Sequence, residues 1–404
     1  MGKRAYLLKL LQDVRASYWF LPSLLVLVGM MLATLMGWVD RNASVLPFQL
    51  PASLLDTQAD GARSTLAVIA QSIIGVTGVM FSMTLVAVSF ASGNFGPRLI
   101  GNFMRDRGNQ WSLGILISTF VYALVVLRTV QNEIEGDTAQ FVPQYSLLVA
   151  LGLTLVCVFT LIYFIHHVPE TINVSRISAG IGASLDRQVR ELIDENNASD
   201  KQVGPPKRDP DHVVTAWVSG YVQTVNFNRL SSLAKEKNLH ISLSASVGAF
   251  VTTKTPVFEI WAAEPLEDAD AIKECYAIGA GRTENQNPTF LAEQLVEMVV
   301  RALSPGLNDP YTAVDCLNRL AAVLTTASTY EGGLKRRSLD HISFDALTFP
   351  RLFAATFPLC RQYIRPDNLV LNHALSLLDD LAKIARDEDQ AVIKSEMKAL
   401  RADR

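Results

Sequence analysis

Long runs of apolar residues without any charge dominate the first part of the chain. The first run extends from Ala16 to Val39 and the second from Ser64 to Pro97. Each is long enough to cross the hydrocarbon core of a bilayer, which is about 30 Å thick. Because backbone groups in hydrocarbon find no water to bond, these segments are expected to be helical. The pattern predicts four transmembrane spans, at about residues 16–39, 64–92, 108–128 and 145–167.

Polar and small residues recur along the second span at helical spacing. They are Gln71, Gly75, Gly78, Ser82, Ser89 and Gly93, at steps of 4, 3, 4, 7 and 4 residues. This period places all six on one face of a helix, and we call this face the stripe. The opposite face suits lipid or a packed apolar neighbour, and it carries Ile73, Val76, Met80, Met83 and Ala87.

Two interpretations of the stripe stay open. Gly78 and Ser82 form a small-xxx-small pair, which lets the backbones of two helices approach closely. Alternatively, several copies of the second span surround a water-filled path, and Gln71, Ser82 and Ser89 offer hydrogen bonds to a permeating solute. The two roles are compatible with each other.

The second uncharged run is longer than one bilayer crossing requires. As a single helix its 34 residues would extend about 51 Å, at 1.5 Å per residue. We therefore expect the helix to tilt or to continue into the cytoplasm. Gly93, Gly96 and Pro97 then predict a break, followed by a short basic connector at the membrane surface.

Positively charged residues are concentrated on one side of the predicted spans. Four Lys or Arg residues precede the first span, and three more lie between the second and third spans. On the opposite side, Arg41 and Arg63 are offset by acidic residues. Since Lys and Arg accumulate in cytoplasmic loops, both termini are expected in the cytoplasm.

The chain after the fourth span has the composition of a soluble α+β domain. Residues 171–204 predict a juxtamembrane helix and a linker. Residues 205–265, rich in Val, Thr and aromatic residues, predict a small β-rich module, and residues 266–404 predict a helical domain. The predicted fold class is thus an α-helical membrane protein with a four-helix transmembrane domain at residues 1–170 and a cytoplasmic α+β domain.

A second candidate site lies in loops at the ends of predicted helices. Its residues are Arg282, Thr283, Glu284, Gln286, Asn308 and Asp309. Asp309 precedes Pro310, a pair that is typical of a helix N-cap followed by proline at the first helical position. The alternative is a polar binding surface formed by these six side chains, which we call the polar surface.

Charge and motifs exclude several classes of function. The net charge is only −3, so the chain lacks the basic field that holds nucleic acid. The four cysteines are scattered, without a CxxC pair, which suits a reducing cytoplasm and argues against structural zinc. No catalytic motif of a hydrolase, nucleotide-binding protein or metalloprotease is present. We therefore assign no catalytic residue, no metal and no cofactor.

Three sequence segments are specific enough to indicate a protein family. They are TLAVIAQSIIGVTGVMFSMTLVAVSFASGNFGPRLIGNFMRDRGNQ, LIYFIHHV and GRTENQNPTFLAEQLVEMVVRALSPGLNDPYTAV. Together with the four-span layout they resemble, over nearly the whole chain, the bacterial predicted membrane protein family called domain of unknown function 2254. The resemblance implies a bacterial inner (plasma) membrane protein, and it brings no established activity. It also implies Gln-Asp in relatives where this chain has Gln286 and Asn287.

Three functional hypotheses follow. The first is a homo-oligomeric inner-membrane channel or pore, in which second-span helices line or surround the axis and the cytoplasmic domain gates or senses. The second is a membrane-anchored sensor or scaffold whose cytoplasmic domain binds a ligand or partner. The third is an enzyme acting on a membrane substrate through Arg282, Glu284 and Asp309. The expected partners are the lipid bilayer, further copies of the chain and a small ion or ligand.

Overall fold

The chain forms two compact units. The structure, a computed structural model, describes residues 17–42, 57–95, 106–131, 141–197, 205–262, 269–329, 338–339, 341–345 and 347–402. The membrane unit consists of residues 10–93 and 97–173, and the C-terminal unit consists mainly of residues 174–404.

Four helices of the membrane unit are long and apolar enough to cross a bilayer. They are α1 (Phe20–Arg41), α2 (Ala59–Phe95), α3 (Arg107–Leu127) and α4 (Gln144–Thr171). The mean hydropathy of their most apolar windows lies between 1.8 and 2.6, with at most two charged residues in each window. The four spans predicted from the sequence are therefore confirmed as helices.

Helix α2 is the longest of these four. Its 37 residues correspond to about 55 Å, well beyond the roughly 30 Å of the hydrocarbon core. It begins before the predicted span, and Asp60 in its first turn is favourable there because helix N-termini attract negative charge. It reaches Phe95, whereas Gly96, Pro97 and the predicted connector up to residue 105 lie outside the described residues.

Close packing between α1 and α3 depends on two glycines that the sequence analysis did not single out. A Cβ atom on Gly29 would lie 2.8 Å from the backbone oxygen of Ser118. A Cβ atom on Gly114 would lie 3.1 Å from Cα of Pro22. Small residues let helices approach in this way where no hydrophobic force drives them together. Within this unit, Gly29 and Gly114 are thus the glycines that bring α1 and α3 together.

Two aspartates tie the ends of the spans together. Asp40, near the end of α1, accepts hydrogen bonds from the backbone N–H of Tyr145 at 2.8 Å and of Ser146 at 3.1 Å. It thereby caps α4, whose first N–H groups have no partner within the helix. Asp106 caps α3 through the N–H of Asn109, and its carboxylate also lies 2.8 Å from Nε2 of His167 on α4.

The helices of the C-terminal unit begin directly after the last span. They are α5 (Val174–Asn197), α6 (Phe227–Glu236), α7 (Asp270–Lys273), α8 (Pro288–Ala302), α9 (Pro310–Thr329), α10 (Phe349–Ala354), α11 (Phe357–Ile364), α12 (Asn368–Ile384) and α13 (Asp387–Arg401). Only Ile172 and Asn173 separate α4 from α5. The predicted juxtamembrane helix is therefore present as an element of its own.

Helix α5 packs on the pair formed by α8 and α9. Its apolar face buries Ile181, Leu185 and Val189, as its helical period predicts. Polar contacts fix its register: the Ser178 hydroxyl donates to the Asp315 carboxylate on α9. One turn further along α5, the backbone of Gly182 lies against Arg319 of α9, and Thr326 then donates to Asp186 at 2.9 Å. Residues 174–197 thus belong to the C-terminal unit.

Two sheets share one apolar core in this unit. Their strands are β1 (His212–Thr215), β2 (Gly220–Val225), β3 (Leu239–Leu243), β4 (Phe250–Val251), β5 (Pro256–Ala262), β6 (Tyr276–Gly279), β7 (Ser338–Leu339) and β8 (Ile342–Phe344). One sheet has the order β1-β5-β3-β8-β7 and the other β4-β2-β6. The neighbours are antiparallel except for β3 and β8. Strands β6, β7 and β8 lie beyond residue 265, in the part of the chain that was predicted to be helical, and were not predicted.

Candidate functional site

All six residues of the stripe on α2 are exposed on the single chain. A Cβ atom added to Gly75, Gly78 or Gly93 would meet nothing within 4 Å. The Ser82 hydroxyl donates to the backbone oxygen of Gly78 at 2.9 Å, so it is satisfied within its own helix. The Cβ positions of these three glycines therefore have open space around them.

The face of α2 opposite the stripe is buried within the membrane unit. Its buried residues are Ala59, Ala62, Leu66, Ile69, Ala70, Ile73, Thr77, Met80, Thr84 and Ala91. At 100° per residue, these positions centre on the side of the helix about 180° from the stripe. Of the residues predicted for that face, Ile73 and Met80 are buried, whereas Met83 is 55% exposed. Helix α2 thus buries one side in its own unit, and its exposed side carries the stripe. Large apolar residues flank the stripe on that exposed side, namely Val68, Ile74, Val79, Phe81, Met83, Leu85, Val86 and Phe90.

Arg282 of the polar surface is held by two contacts to helix α8. Its guanidinium forms a two-pronged ion pair with Glu293, and Nη2 lies 3.2 Å from Oε1. The same group lies 4.9 Å from the ring centroid of Phe290, a cation–π geometry. The Arg282 side chain is only 20% exposed. Its charge is therefore engaged with the α8 helix behind the loop.

Thr283 and Gln286 bond to the end of strand β2. The Thr283 hydroxyl donates to the backbone oxygen of Gln223 at 2.9 Å. The Gln286 amide accepts from the N–H of Val225 at 3.0 Å and donates to the oxygen of the same residue at 3.1 Å. Gln286 has φ of +54°, a left-handed conformation that is uncommon for a residue with a side chain. These two residues therefore attach the loop to the sheet.

Asn308 and Asp309 lie at the other end of α8. The 15 residues of that helix separate them from Arg282 and its neighbours by about 22 Å along the axis. Asp309 caps α9, since its carboxylate accepts from the N–H of Thr312 at 3.1 Å. The structure thus brings Arg282, Thr283, Glu284 and Gln286 together, and it places Asn308 and Asp309 elsewhere.

Buried polar side chains that the sequence analysis missed lie beside Arg282, Thr283, Glu284 and Gln286. Gln294 and Asn287 are each 2% exposed, and Gln188 of α5 joins them through its bond to the Glu284 backbone oxygen at 2.8 Å. Gln294 donates to the Glu284 carboxylate at 3.2 Å. Within the described residues, Oε1 of Gln188, Oε1 of Gln294, Nε of Arg282 and Nδ2 of Asn287 are buried without a hydrogen-bond partner. Buried polar atoms of this kind are usually satisfied by ordered water.

One sequence signal could have revealed Gln294. It occupies a position on the buried side of α8, among Leu291, Leu295 and Met298. A polar residue on the apolar stripe of an amphipathic helix predicts a buried hydrogen bond. The sequence does not reveal Gln188 in this way, because it lies beside the apolar face of α5 and not within it.

The cysteines of the C-terminal unit are not activated for nucleophilic chemistry. Burial raises the pKa of the Cys275 thiol to about 11 and that of the Cys360 thiol to about 12. Burial also raises the pKa of Cys316. A thiol attacks only as the thiolate, so these three groups are unreactive at neutral pH. Within the described ranges, no three His, Cys, Asp or Glu side chains are grouped so that they could hold a metal ion.

Comparisons with known proteins match the chain to a family model and to relatives whose descriptions name no activity. A family model described as predicted membrane protein (DUF2254) matches residues 15–380. The chain is similar to an uncharacterized protein of Mycobacterium bovis and to one of Mycobacterium tuberculosis. Each is 29% identical over 396 residues, which cover 95% of this chain and 75% of the relative. No solved structure matches the chain.

Proposed function

The chain belongs to the family of predicted membrane proteins called domain of unknown function 2254, and on this premise we propose that it is a homo-oligomeric channel of the bacterial inner membrane. Copies of α2 surround the conduction path in this proposal. The observation that carries it is that α2 buries the side opposite the stripe in its own unit, whereas the stripe itself is exposed.

Exposure of the stripe to lipid would be unfavourable. Gln71 would place an amide in hydrocarbon, where it finds no water to bond. The three glycines with open space at Cβ would leave grooves that lipid chains fill poorly, but that a neighbouring helix can enter closely. Association through the stripe removes both costs. It also provides hydrogen-bonding groups along a shared axis.

The described helices of one membrane unit pack around an apolar core rather than around a water-filled path. The centre of the unit is filled by side chains, and Leu66, Tyr122, Ala123 and Ala150 are all less than 1% exposed. A water-filled path therefore requires several copies. This is the reason to propose an oligomer for a chain with four spans.

The C-terminal unit is proposed to lie in the cytoplasm, together with both termini. The excess of Lys and Arg before the first span and after the second supports this orientation. Only two residues separate α4 from α5 in the chain, and in this proposal a movement of the C-terminal unit reaches the last span through them. The unit is thus placed to gate the channel or to sense its stimulus.

Ion flux through liposomes that contain the purified full-length protein tests the proposal. We expect the wild type to conduct, and Gly78→Leu and Gln71→Leu to change the flux. For Gly78→Leu we expect a fall of about tenfold, because overpacking a close helix contact costs about 1–3 kcal/mol. Gly152→Leu is the matched control, since Gly152 on α4 also has open space at Cβ but lies outside the stripe.

Two outcomes contradict the proposal in different ways. If Gly78→Leu leaves flux and oligomeric state as they are in the wild type, the stripe has no role in the pore. If the wild type conducts no ion at any voltage or membrane tension, the sensor or scaffold hypothesis replaces the channel. The search for a ligand then moves to the C-terminal unit.

A further inference from the structure

The β1–β2 loop and the β4–β5 turn lie side by side in the C-terminal unit. In the β2–β4 ladder, Gly220 pairs with Val251 and Tyr221 pairs with Phe250. The N–H of Ala216 donates to the backbone oxygen of Thr255 at 3.0 Å. The two segments are therefore adjacent, and we call residues 216–221 and 250–255 the sheet tip.

The sheet tip exposes large apolar side chains. Trp217 is 42% exposed, Val218 is 45% exposed and Phe250 is 59% exposed. The rings are held in place, since Phe250 packs edge-on against Tyr221 at 5.0 Å between centroids. Trp217 packs edge-on against the buried ring of Tyr276 at 6.2 Å. Rigid, exposed aromatic groups on a folded domain are typical of an interaction surface.

The sheet tip carries positive charge only. It contains no Asp or Glu, and Lys254 is its only charged residue. Lys254 is exposed in the turn that follows Phe250. Trp and Tyr favour the level of the lipid headgroups, and Lys is attracted to anionic headgroups. The chemistry of the tip thus fits the surface of a bilayer that contains anionic lipid.

We propose that the sheet tip docks on the anionic lipid surface of the membrane that holds the spans. Three rings and one Lys would bind a bilayer only weakly from free solution. This unit, however, is attached to the last span through α5, so the surface is always present at a high effective concentration. A site of low intrinsic affinity is therefore sufficient to hold the tethered unit on the membrane.

A second copy of the chain fits the tip less well. Strand β4 is at the edge of its sheet but has only two residues, so it offers a partner strand little backbone to pair with. The proposal does not depend on ion conduction. It holds equally for a membrane-anchored sensor.

The first test places a fluorescent label on the tip of the full-length protein in liposomes. Val218→Cys and Phe250→Cys provide the labelling sites, and Ser232→Cys on α6 is the exposed control. The four native cysteines are buried and compete little for the label. We expect a quencher on the headgroup of a neutral tracer lipid, in anionic liposomes, to quench the labels at 218 and 250 about twofold more than the label at 232, as for groups at headgroup depth.

The second test changes charge. Lys254→Gln, in the Val218→Cys background, should lower the docking equilibrium about fivefold, since one Lys near an anionic surface contributes about 1 kcal/mol. Lys237→Gln, which removes an exposed charge next to α6, should have no effect. Replacing the anionic lipid by zwitterionic lipid should likewise lower the docking equilibrium.

Three results would overturn the proposal. The first is equal quenching at positions 218, 250 and 232 in every lipid. The second is quenching that depends on neither Lys254 nor the lipid charge. The third is direct cross-linking between position 250 of different chains by a short bifunctional reagent, which would assign the tip to contact between copies.

Discussion

Gln286 illustrates how one side chain can complete a sheet. Its left-handed backbone turns the amide toward β2, where it bonds both the N–H and the oxygen of Val225 and also accepts from the Thr224 hydroxyl at 3.1 Å. The side chain thereby satisfies backbone groups that an additional strand would otherwise pair. Its role in the polar surface is to hold the loop before α8 in place.

The substitution Gln286→Ala tests this role. It leaves the Val225 backbone groups without their partner, at a cost of about 1–3 kcal/mol. We expect hydrogen exchange of the β2 peptide in the full-length protein to become roughly tenfold faster or more. Gln362→Ala, at an exposed position of α11, should leave that peptide unchanged. Unchanged exchange in Gln286→Ala would mean that the loop is held by other contacts.

The three side chains of the enzyme hypothesis do not share one site. Arg282 is paired with Glu293, and Glu284 accepts from Gln294. Asp309 caps α9 at the opposite end of α8, about 22 Å away. Each of them thus has a structural partner of its own.

At the scale of single elements, α5 connects the last span to the C-terminal unit. Gly182 lies in the contact with α9, where a Cβ atom would be 3.1 Å from Cβ of Arg319. Gly180, half a turn earlier, faces open space. The two glycines therefore form a matched pair on one helix.

We expect Gly182→Leu to loosen α5 and Gly180→Leu to leave it docked. A leucine at position 182 pushes α5 away from α9, and overpacking of this kind costs about 1–3 kcal/mol. At position 180 the same change gains up to about 1 kcal/mol of helix propensity. Hydrogen exchange of residues 176–192 measures the difference. Equal exchange in the two variants would show that Gly182 is not essential to the contact.

At the scale of the whole molecule, the C-terminal unit should fold as a fragment only if α5 is included. Residues 174–404 keep Ile181, Leu185 and Val189 against α8 and α9, whereas residues 205–404 expose the surface that these side chains cover. We expect the longer fragment to be soluble and monomeric. The shorter one should aggregate or bind hydrophobic dye, as measured by light scattering and dye fluorescence. A stable, soluble shorter fragment would contradict the boundary at residue 174.

The proposed orientation predicts which side of the membrane each loop faces. A membrane-impermeant thiol reagent should label Gln58→Cys, which precedes α2, in intact cells after removal of the outer membrane. Ser232→Cys should react only once the inner membrane is opened. The control is the cysteine-containing wild type, whose native thiols are buried. The reverse pattern would place the C-terminal unit outside.

Some features of this protein follow from the sequence by itself. The four spans do, because an uncharged run of sufficient length can lie in hydrocarbon only as a helix. The period of the stripe and the cap at Asp309 follow too, since both depend on residues within a few positions of one another. The family resemblance also came from the sequence, and the matching family model confirms it.

Other features were decided only by the tertiary structure. It determined that α2 buries the face opposite the stripe, that Asp40 caps α4, and that β8 pairs with β3, with Ile342 beside Ile241. It also separated Asn308 and Asp309 from Arg282. The physical reason is that these features depend on contacts between residues far apart in the chain. Hydrophobic period and local propensity specify the elements, but which elements meet depends on how the whole chain packs.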